Sequence, residues 1–440
     1  MKQLLKNLVI GLLWKRVGLR VLRERPVVIA VTGSVGKTST KDAIALVLEK
    51  GKRQVVKTVG GLNSDIGVPL SLCGFDQSPA TSAGWLKVLA RVLLMPPRLR
   101  VHKGAYYVLE YSADKPGDIA YLASKLAPNV AVLTRVVPVH MQSYASLEDL
   151  AAEKFSLVAG LKSEGQAVLN ADDPIQVAKG KELSNVLWYG VRESALKQPG
   201  IWGHSLRLGE KGWIVQIDFV IAKKMDSIAR QQMQTIQVES SLIGRHQVDC
   251  LVAAAAVGFQ QGIPFDAIRT ALQGYQVPPG RGRLIPGRRD VEIIDDSYNS
   301  SPESAKAGLE MLRPFARKRR VVAILGNMNE LGELTESSHI EVARHAAGKV
   351  DYLVAVGPQS TPMVRAAEEA GMPSHQVLAF QTPEQLLDKI DQIVNKGDLV
   401  YIKGSQNKVR LERAVKALMA HPEHAEQLLA RQSAFWRHHP

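Results

Sequence analysis

The chain has 440 residues, 45% hydrophobic and 22% charged, the profile of a soluble globular protein with two or three domains. Its 56 Lys and Arg outnumber 42 Asp and Glu for a formal charge of +14, which favours phosphate-bearing partners. Aromatics are only 5% and never interleave with a basic run, and there are two cysteines, Cys73 and Cys250, far apart. That disfavours a base-stacking nucleic-acid surface and a disulfide framework, and it points to a reducing cytosol.

Residues 1–25, "MKQLLKNLVIGLLWKRVGLRVLRER", hold seven Lys and Arg against one Glu. The longest apolar run, Leu8 to Trp14, is too short to span a bilayer, and no small-residue cleavage site follows it. Arg16, Arg20 and Arg23 fall on one helical face, so a basic amphipathic helix is expected. A second such stretch, "GWLKVLARVLLMPPRLRVHK", occupies 84–103. Two readings stay open for the pair. Their apolar stripes are buried on the protein itself, or they meet an anionic membrane surface, where Trp14 and Trp85 suit the interface.

The β-branched run "PVVIAVTG" then leads into a glycine loop and the helical pattern "KTSTKDAIALVLEK". Thr32 to Thr38 spell Thr-Gly-Ser-x-Gly-Lys-Thr, a compact phosphate loop in which Val31 stands where the usual motif has its first glycine. In such a loop the backbone around Thr32, Gly33, Ser34 and Gly36 surrounds phosphates. Lys37 neutralises them, and the Thr38 hydroxyl, with Ser39 beside it, reaches Mg²⁺. Apolar runs at 106–111, 130–134 and 167–170 alternate with helical segments, which predicts a mostly parallel α/β sheet. Residues 200–242 read as antiparallel strands. The Pro/Gly/Arg stretch "PPGRGRLIPG" marks a boundary. After it "VEIIDDSYN", "RRVVAILGN", "DYLVAVG" and "DLVYIKGS" predict a second α/β domain. The expected order is a basic helix (1–25), a central nucleotide-binding domain (26–278), a Rossmann-like C-terminal domain (279–425) and a polar tail (426–440).

Several stretches follow one another in a known order: "TVGGLNSDIGVPLSL", "LEYSADKPGDIA", "VPVHMQSYASLEDLAAEKF", "LNADDP", "GRHQVDCLVAAAA", "PPGRGRL", "IIDDSYNSSPES", "LGNMNELGE" and "YIKGS". With the compact loop they resemble the Mur ligase family, nearest its D-alanyl-D-alanine-adding branch, from about Val27 to Ala420. The resemblance implies ATP-dependent amide formation. A carboxylate takes the γ-phosphate to give an acyl phosphate, an amine attacks, and phosphate leaves. It also implies two Mg²⁺ ions, a lysine carbamylated by CO₂, a muramoyl-peptide acceptor with D-Ala-D-Ala as amine, and a cytoplasmic, monomeric enzyme of peptidoglycan synthesis.

Carried over by motif, Thr38 and Glu110 hold the first Mg²⁺, His140 the second, and Lys154, fourteen residues later, is the carbamate. Arg281 resembles the arginine that meets the γ-phosphate, with Arg283 the choice if the register shifts by two. His246 and Asp296 fall on the nucleotide, Asp296 at its ribose. Asn63 lies near the carboxylate substrate, and Asn299, His339, Lys403 and Ser405 on the substrate side of the second domain. Without the resemblance, Lys154 is a solvated helix lysine, Asp296 a helix N-cap, and His339, Lys403 and Ser405 loop or cap residues.

The sequence also departs from the family. Gln247 and Cys250 replace both asparagines of the Gly-[Lys/Arg]-His-Asn-x-x-Asn motif, and Asn327 replaces an aspartate. The Asp-Asn-Pro-Arg signature of diaminopimelate addition is absent. Family enzymes of cell-wall synthesis carry a uridine-nucleotide domain before the loop, which 26 residues are too few to form. The substrate's nucleotide is then held elsewhere or not at all. The alternatives are a ligase acting on a different, lipid-linked carboxylate, a non-catalytic nucleotide-binding partner protein, and, from charge alone, a nucleic-acid-dependent ATPase.

Overall fold

The structure, a computed structural model, describes residues 2–440 apart from 80, 95–102, 139–142, 192–198, 210–211, 226–227, 241, 243, 245–246, 330, 406–408, 433–435 and 437–440. The described residues fall into two compact units. The first comprises Met1–Leu206, Ile214–Val238 and Val248–Tyr275, and the second Arg207–Trp213, Glu239–Gln247 and Gln276–Pro440.

Unit 1 is built on a sheet of nine strands among the described residues: β1 Val27–Thr32, β2 Val55–Lys57, β3 Tyr106–Glu110, β4 Val130–Leu133, β5 Gln166–Asn170, β6 Val186–Val191, β7 Gly200–Leu208, β8 Trp213–Met225 and β9 Ile228–Glu239. The order across the sheet is β2-β3-β1-β4-β5-β6-β7-β8-β9. From β2 to β6 every pair is parallel, as the α/β alternation predicts; β7 also joins in parallel, a correction to the antiparallel reading of residues 200–242 at its start. Strands β3, β1 and β4 are buried on both faces, which is why they read as continuous apolar runs. Two residues separate β8 from its neighbour β9, a connection that only an antiparallel pair can make.

The helix Lys2–Glu24 takes the first of its two open readings on one face. Val9, Ile10, Leu13, Trp14 and Val17 are buried in the same apolar cluster as Tyr107, Leu70 and Val88. Trp14 is only 8% exposed and its indole N–H donates to the Asp65 carbonyl at 3.2 Å. Trp85, partly buried, packs against the same cluster. Two of the three arginines on that face are engaged by the protein itself. The Arg16 guanidinium donates to the Leu93 carbonyl, and Arg20 donates to the Glu24 carboxylate at 2.9 Å and to the Leu72 carbonyl at 2.8 Å. Glu24, fully buried, also accepts from the Tyr107 hydroxyl at 2.6 Å. Long arginine stems let guanidinium groups reach inward for carbonyls that sequence spacing alone does not reveal.

Unit 2 holds a six-stranded sheet: β10 Arg283–Pro286, β11 Glu292–Asp296, β12 Val321–Leu325, β13 Tyr352–Val356, β14 Val377–Phe380 and β15 Leu399–Lys403. The order is β10-β11-β15-β12-β13-β14. β10 alone runs antiparallel, against β11, and the rest are parallel. The two sheets make the mixed α/β class expected. The helix Pro302–Ala316 approaches β15 closely at Gly308, where an added Cβ would lie 1.9 Å from the Tyr401 hydroxyl and 2.6 Å from its ring.

That approach is testable. Tyr401 is wholly buried and donates to Asp296, so it cannot move aside freely. Gly308→Ala should destabilise unit 2 by about 1–3 kcal/mol, the usual range for overpacking. Denaturant unfolding of the full chain would read this as a lowered midpoint for the transition carrying unit 2.

Candidate functional site

In unit 1 the chemistry gathers at the carboxyl ends of the central parallel strands, where open α/β sheets bind ligands. β1 ends at Thr32, and Gly33–Gly36 turn the chain into the helix Lys37–Lys50. Gly33 (φ 144°) could not carry a side chain, because its Cβ would lie 1.9 Å from the Thr134 hydroxyl. Gly36 (φ 83°) caps the helix with no side chain over its amides. Those first-turn N–H groups have no intrahelical partner and form an anion site. Lys37 folds back over this loop, its ammonium donating to the carbonyls of Gly33 at 2.9 Å and Ser34 at 3.0 Å. The Ser34 hydroxyl donates to the Val137 carbonyl. Thr32 is different from its neighbours, being buried with its hydroxyl on the Tyr111 carbonyl at 2.8 Å. Its side chain anchors the loop from behind. The Ser39 carbonyl accepts from the Tyr275 hydroxyl.

One strand over, Val31 of β1 is in register with Glu110 at the end of β3. Glu110 is 2% exposed. One carboxylate oxygen accepts from Asn63 Nδ2 at 2.9 Å, while Oε2 has no hydrogen-bond partner among the described residues. A buried carboxylate oxygen left this way costs free energy unless a cation completes it. The residues present therefore fit a hard, oxygen-seeking ion such as Mg²⁺. No group of three or more His, Cys, Asp or Glu suited to a metal occurs among the described residues. His140 lies outside them, as does His246.

Lys154 is not a solvated helix lysine. It sits on the inner face of the helix Leu147–Ala159, 2% exposed. Burial, and next the charge of Lys37, push its pKa down to about 7. The adjacent Glu153 faces away from this role, accepting from the amides of Gly117 and Ile119 at the start of the helix Asp118–Lys125.

Unit 2 collects a second set. Asp296, at the end of β11, accepts from Lys403 Nζ at 2.7 Å and from the Tyr401 hydroxyl at 3.0 Å. Lys403 also donates to the Asn299 carbonyl. The buried Ser405 hydroxyl donates to Asn299 Oδ1 or the Ser300 carbonyl and accepts from the amides of Ser300 and Asn329. Asp296, Asn299, Lys403 and Ser405 are thus one hydrogen-bonded group. His339 stands behind it. The ring is buried, Nε2 accepts from the Met328 amide at 2.8 Å, and Nδ1 donates to the Thr335 carbonyl at 2.6 Å. Burial holds its pKa below the ordinary value. With both nitrogens engaged, a neutral His339 ties Met328 to Thr335 and has no edge to offer a substrate.

Arg281 lies in the boundary stretch with its guanidinium 4.1 Å from the centroid of the Tyr298 ring. The loop carrying it is tied down at several points. The Gly280 amide donates to Asp295 Oδ2, the Gly282 amide to the Asp295 carbonyl, and Gln247 Nε2 to the Arg281 carbonyl at 2.6 Å. Gln247, an amide one methylene longer than the family's asparagine, reaches the arginine's own backbone. Asp295 is fully buried, and burial raises its pKa to about 6. Arg283 is the first residue of β10, with burial lowering its pKa. Sequence reasoning passed over Tyr298 and also Arg431, which reaches the same ring from a stretch read as a polar tail.

Comparison with known proteins agrees with this geometry. Residues 31–258 match the Mur ligase middle domain, and residues 280–406 match the Mur ligase, glutamate ligase domain. The UDP-N-acetylmuramoyl-tripeptide–D-alanyl-D-alanine ligase of Escherichia coli is 28% identical over 392 residues, covering 89% of this chain and 76% of the relative. The enzyme of the same name from Bacillus subtilis is 28% identical over 400 residues, covering 90% and 76%. Among solved structures, the MurF ligase of Thermotoga maritima in complex with ADP superposes with a TM-score of 0.71 at 26% identity, covering 96% of this chain and 84% of that one. With the first family model alone spanning more than half the chain, this protein belongs to the Mur ligase family.

Proposed function

We propose that this chain is an ATP-dependent ligase that joins D-alanyl-D-alanine to the carboxylate of a muramoyl-peptide through an acyl phosphate, in peptidoglycan synthesis. The observation that carries the reading is the buried, unpartnered Glu110 oxygen one strand from the phosphate loop. A Mg²⁺ held there would serve any ATP-binding chain, but the buried Lys154 in the same unit adds a carbamate site that ATP binding alone does not need. The names of the relatives support the same substrates.

In this reading the amides at the start of the helix Lys37–Lys50 and the Lys37 ammonium hold the phosphates, and Thr38 and Ser39 sit beneath them. Mg²⁺ held by Thr38, Glu110, His140 and a Lys154 carbamate would screen the charge that accumulates as carboxylate meets γ-phosphate. Asn63 orients Glu110 and the carboxylate substrate. The carboxylate oxygen attacks the γ-phosphorus and ADP leaves, with Arg281 meeting the phosphoryl charge. The amine then attacks the acyl carbon, inorganic phosphate departs, and the amine nitrogen loses a proton. Asp296, oriented by Lys403 and Tyr401, takes the ribose, and Asn299 and Ser405 shape the amine side. His246 is assigned to the nucleotide by its motif.

The lowered pKa of Lys154 favours the carbamate, because CO₂ adds only to the neutral amine. At about 7, roughly half the amine is neutral at pH 7, against well under a thousandth for an ordinary lysine.

A peripheral membrane contact is a further part of this reading, with an anionic phospholipid surface as the partner. No helix among the described residues is long and apolar enough to cross a membrane. On the helices Lys2–Glu24 and Ser82–Leu94, however, Leu8, Leu19, Leu22, Leu86, Leu93 and Leu94 are exposed, Leu94 at 82%. Lys15, Arg23, Lys87 and Arg91 are exposed alongside them. This apolar row with basic neighbours favours the second function, a ligase acting on a lipid-linked carboxylate.

Three outcomes are expected. Lys154→Ala should abolish phosphate release with muramoyl-tripeptide and D-Ala-D-Ala while ATP still binds. In ¹³C-bicarbonate the native protein should show a carbamate carbon signal that grows as pH rises through 7, and Lys154→Ala should lack it. Near-native turnover in Lys154→Ala would remove the carbamate from the mechanism.

Arg281→Ala should slow acyl-phosphate formation by an amount equivalent to roughly 3 kcal/mol, the scale of a lost oxyanion donor, with little change in ATP affinity. Single-turnover kinetics would measure it. The same loss in Arg283→Ala instead would shift the assignment by two residues.

For the membrane contact, truncation is unsuitable because residues 9–17 are core. A Leu19/Leu22/Leu93/Leu94→Gln variant should lose salt-sensitive co-sedimentation with phosphatidylglycerol vesicles. Each basic group near such a surface contributes about 1 kcal/mol. If native protein and variant both stay in the supernatant, the exposed leucines have no lipid role.

A further inference from the structure

Arg431 lies near the end of the chain, yet its side chain is only 3% exposed. It adopts left-handed backbone (φ 58°), which a residue with a side chain takes only where its surroundings compel it. The guanidinium donates to the Ser297 carbonyl at 3.2 Å and to the Tyr298 carbonyl. It also lies 4.9 Å from the Tyr298 ring centroid. Its counter-charge is the buried Glu412, at 3.5 Å, which also binds Arg410 at 3.0 Å. Arg410 in turn donates to the Trp436 carbonyl at 2.6 Å, and both arginines lie within 6 Å of the Trp436 ring.

Tyr298 is the point where this assembly meets the boundary loop. Its amide donates to the Gly280 carbonyl at 3.0 Å, and a Cβ on Gly280 would lie 2.9 Å from the Tyr298 amide nitrogen and Cβ. Its ring carries the Arg281 guanidinium at 4.1 Å. Two arginines therefore share one ring. One is locked to the backbone beneath that ring, and the other projects from a loop stitched to it.

We propose that Arg431 is a positioning residue for Arg281. It clamps the Ser297–Tyr298 backbone and so fixes the aromatic platform that presents Arg281 to the transferring phosphoryl group. The proposal rests on the reading that Arg281 meets the γ-phosphate. It makes the C-terminal segment part of the phosphoryl-transfer machinery. Planar, bidentate capture of two carbonyls is a guanidinium property that an ammonium does not reproduce, so Arg431→Lys is expected to rescue poorly.

The test needs no acceptor. Mg²⁺, ADP and fluoroaluminate mimic the phosphoryl group in transfer, and binding is measured by calorimetry against Mg²⁺ and ADP alone. Arg431→Ala should weaken the fluoroaluminate complex roughly ten- to a hundredfold, the scale of a misplaced catalytic group, while ADP affinity changes less than about twofold. Tyr298→Leu, which keeps the carbonyls and removes the ring, should do the same and serves if Arg431→Ala folds poorly. In an Arg281→Ala background either change should have almost no further effect, because residues acting through one group are non-additive. Equal losses in both backgrounds, or no loss in the native background, would overturn the proposal. If Arg281→Ala itself binds the mimic as tightly as the native chain, the assignment of Arg281 fails, and the role of Arg431 fails with it.

Discussion

A lysine buried near a second positive charge is pushed toward its neutral form. Lys37 and Lys154 meet that constraint in unit 1, and much of the site follows from it. Lys37 donates to two loop carbonyls. Lys154, deeper and with Lys37 nearby, is the one pushed toward neutrality. A buried amine held toward neutrality suits the capture of CO₂, and in the same unit the unsatisfied Glu110 oxygen suits a divalent ion. Asn63 serves that carboxylate, its amide satisfying one oxygen of Glu110 and leaving the other.

Unit 2 handles charge in the opposite way. Asp296 and Lys403 neutralise each other at 2.7 Å, and Tyr401, Asn299 and Ser405 complete the group. The side chains of Asp296, Lys403 and Ser405 all have partners, unlike the Glu110 oxygen. Such a network holds geometry more than it supplies reactivity, and His339, with both ring nitrogens on backbone, extends it to the neighbouring loop. The cation proposed to act from this unit is instead Arg281, which rests on the Tyr298 ring, from which a cation can be recruited at modest cost.

The sequence was most legible where one local signal carried the structure. β1, β3, β4 and β5 were plain as β-branched runs, and the loop after β1 was plain from its glycines. β2, β6, β10 and β14 went unread. β2 has three residues, β10 has an arginine and a proline in four, and β14 is only half buried, so their strand character comes from pairing, not propensity. The candidate site was legible as motifs, but which groups touch was not. That Thr32 faces inward, that His339 has no free edge, and that Asp296 pairs with Lys403, 107 residues away, are facts of packing. Arg431 had no signal at all, because an arginine in a polar, His-rich tail looks solvated until its carbonyl partners are seen.

The bond between Glu24 and Tyr107 spans 83 residues of chain. It sets an order of events during synthesis. The helix Lys2–Glu24 emerges first with an apolar face, but the cluster that receives it includes Leu70, Val88 and Tyr107. At about 5–20 residues per second, the interval before Tyr107 follows is on the order of 4–16 s. During that time an amphipathic basic helix is exposed on the nascent chain before the residues that receive it have been made. Such a segment is a ready substrate for chaperones that shield apolar helices at the ribosome exit.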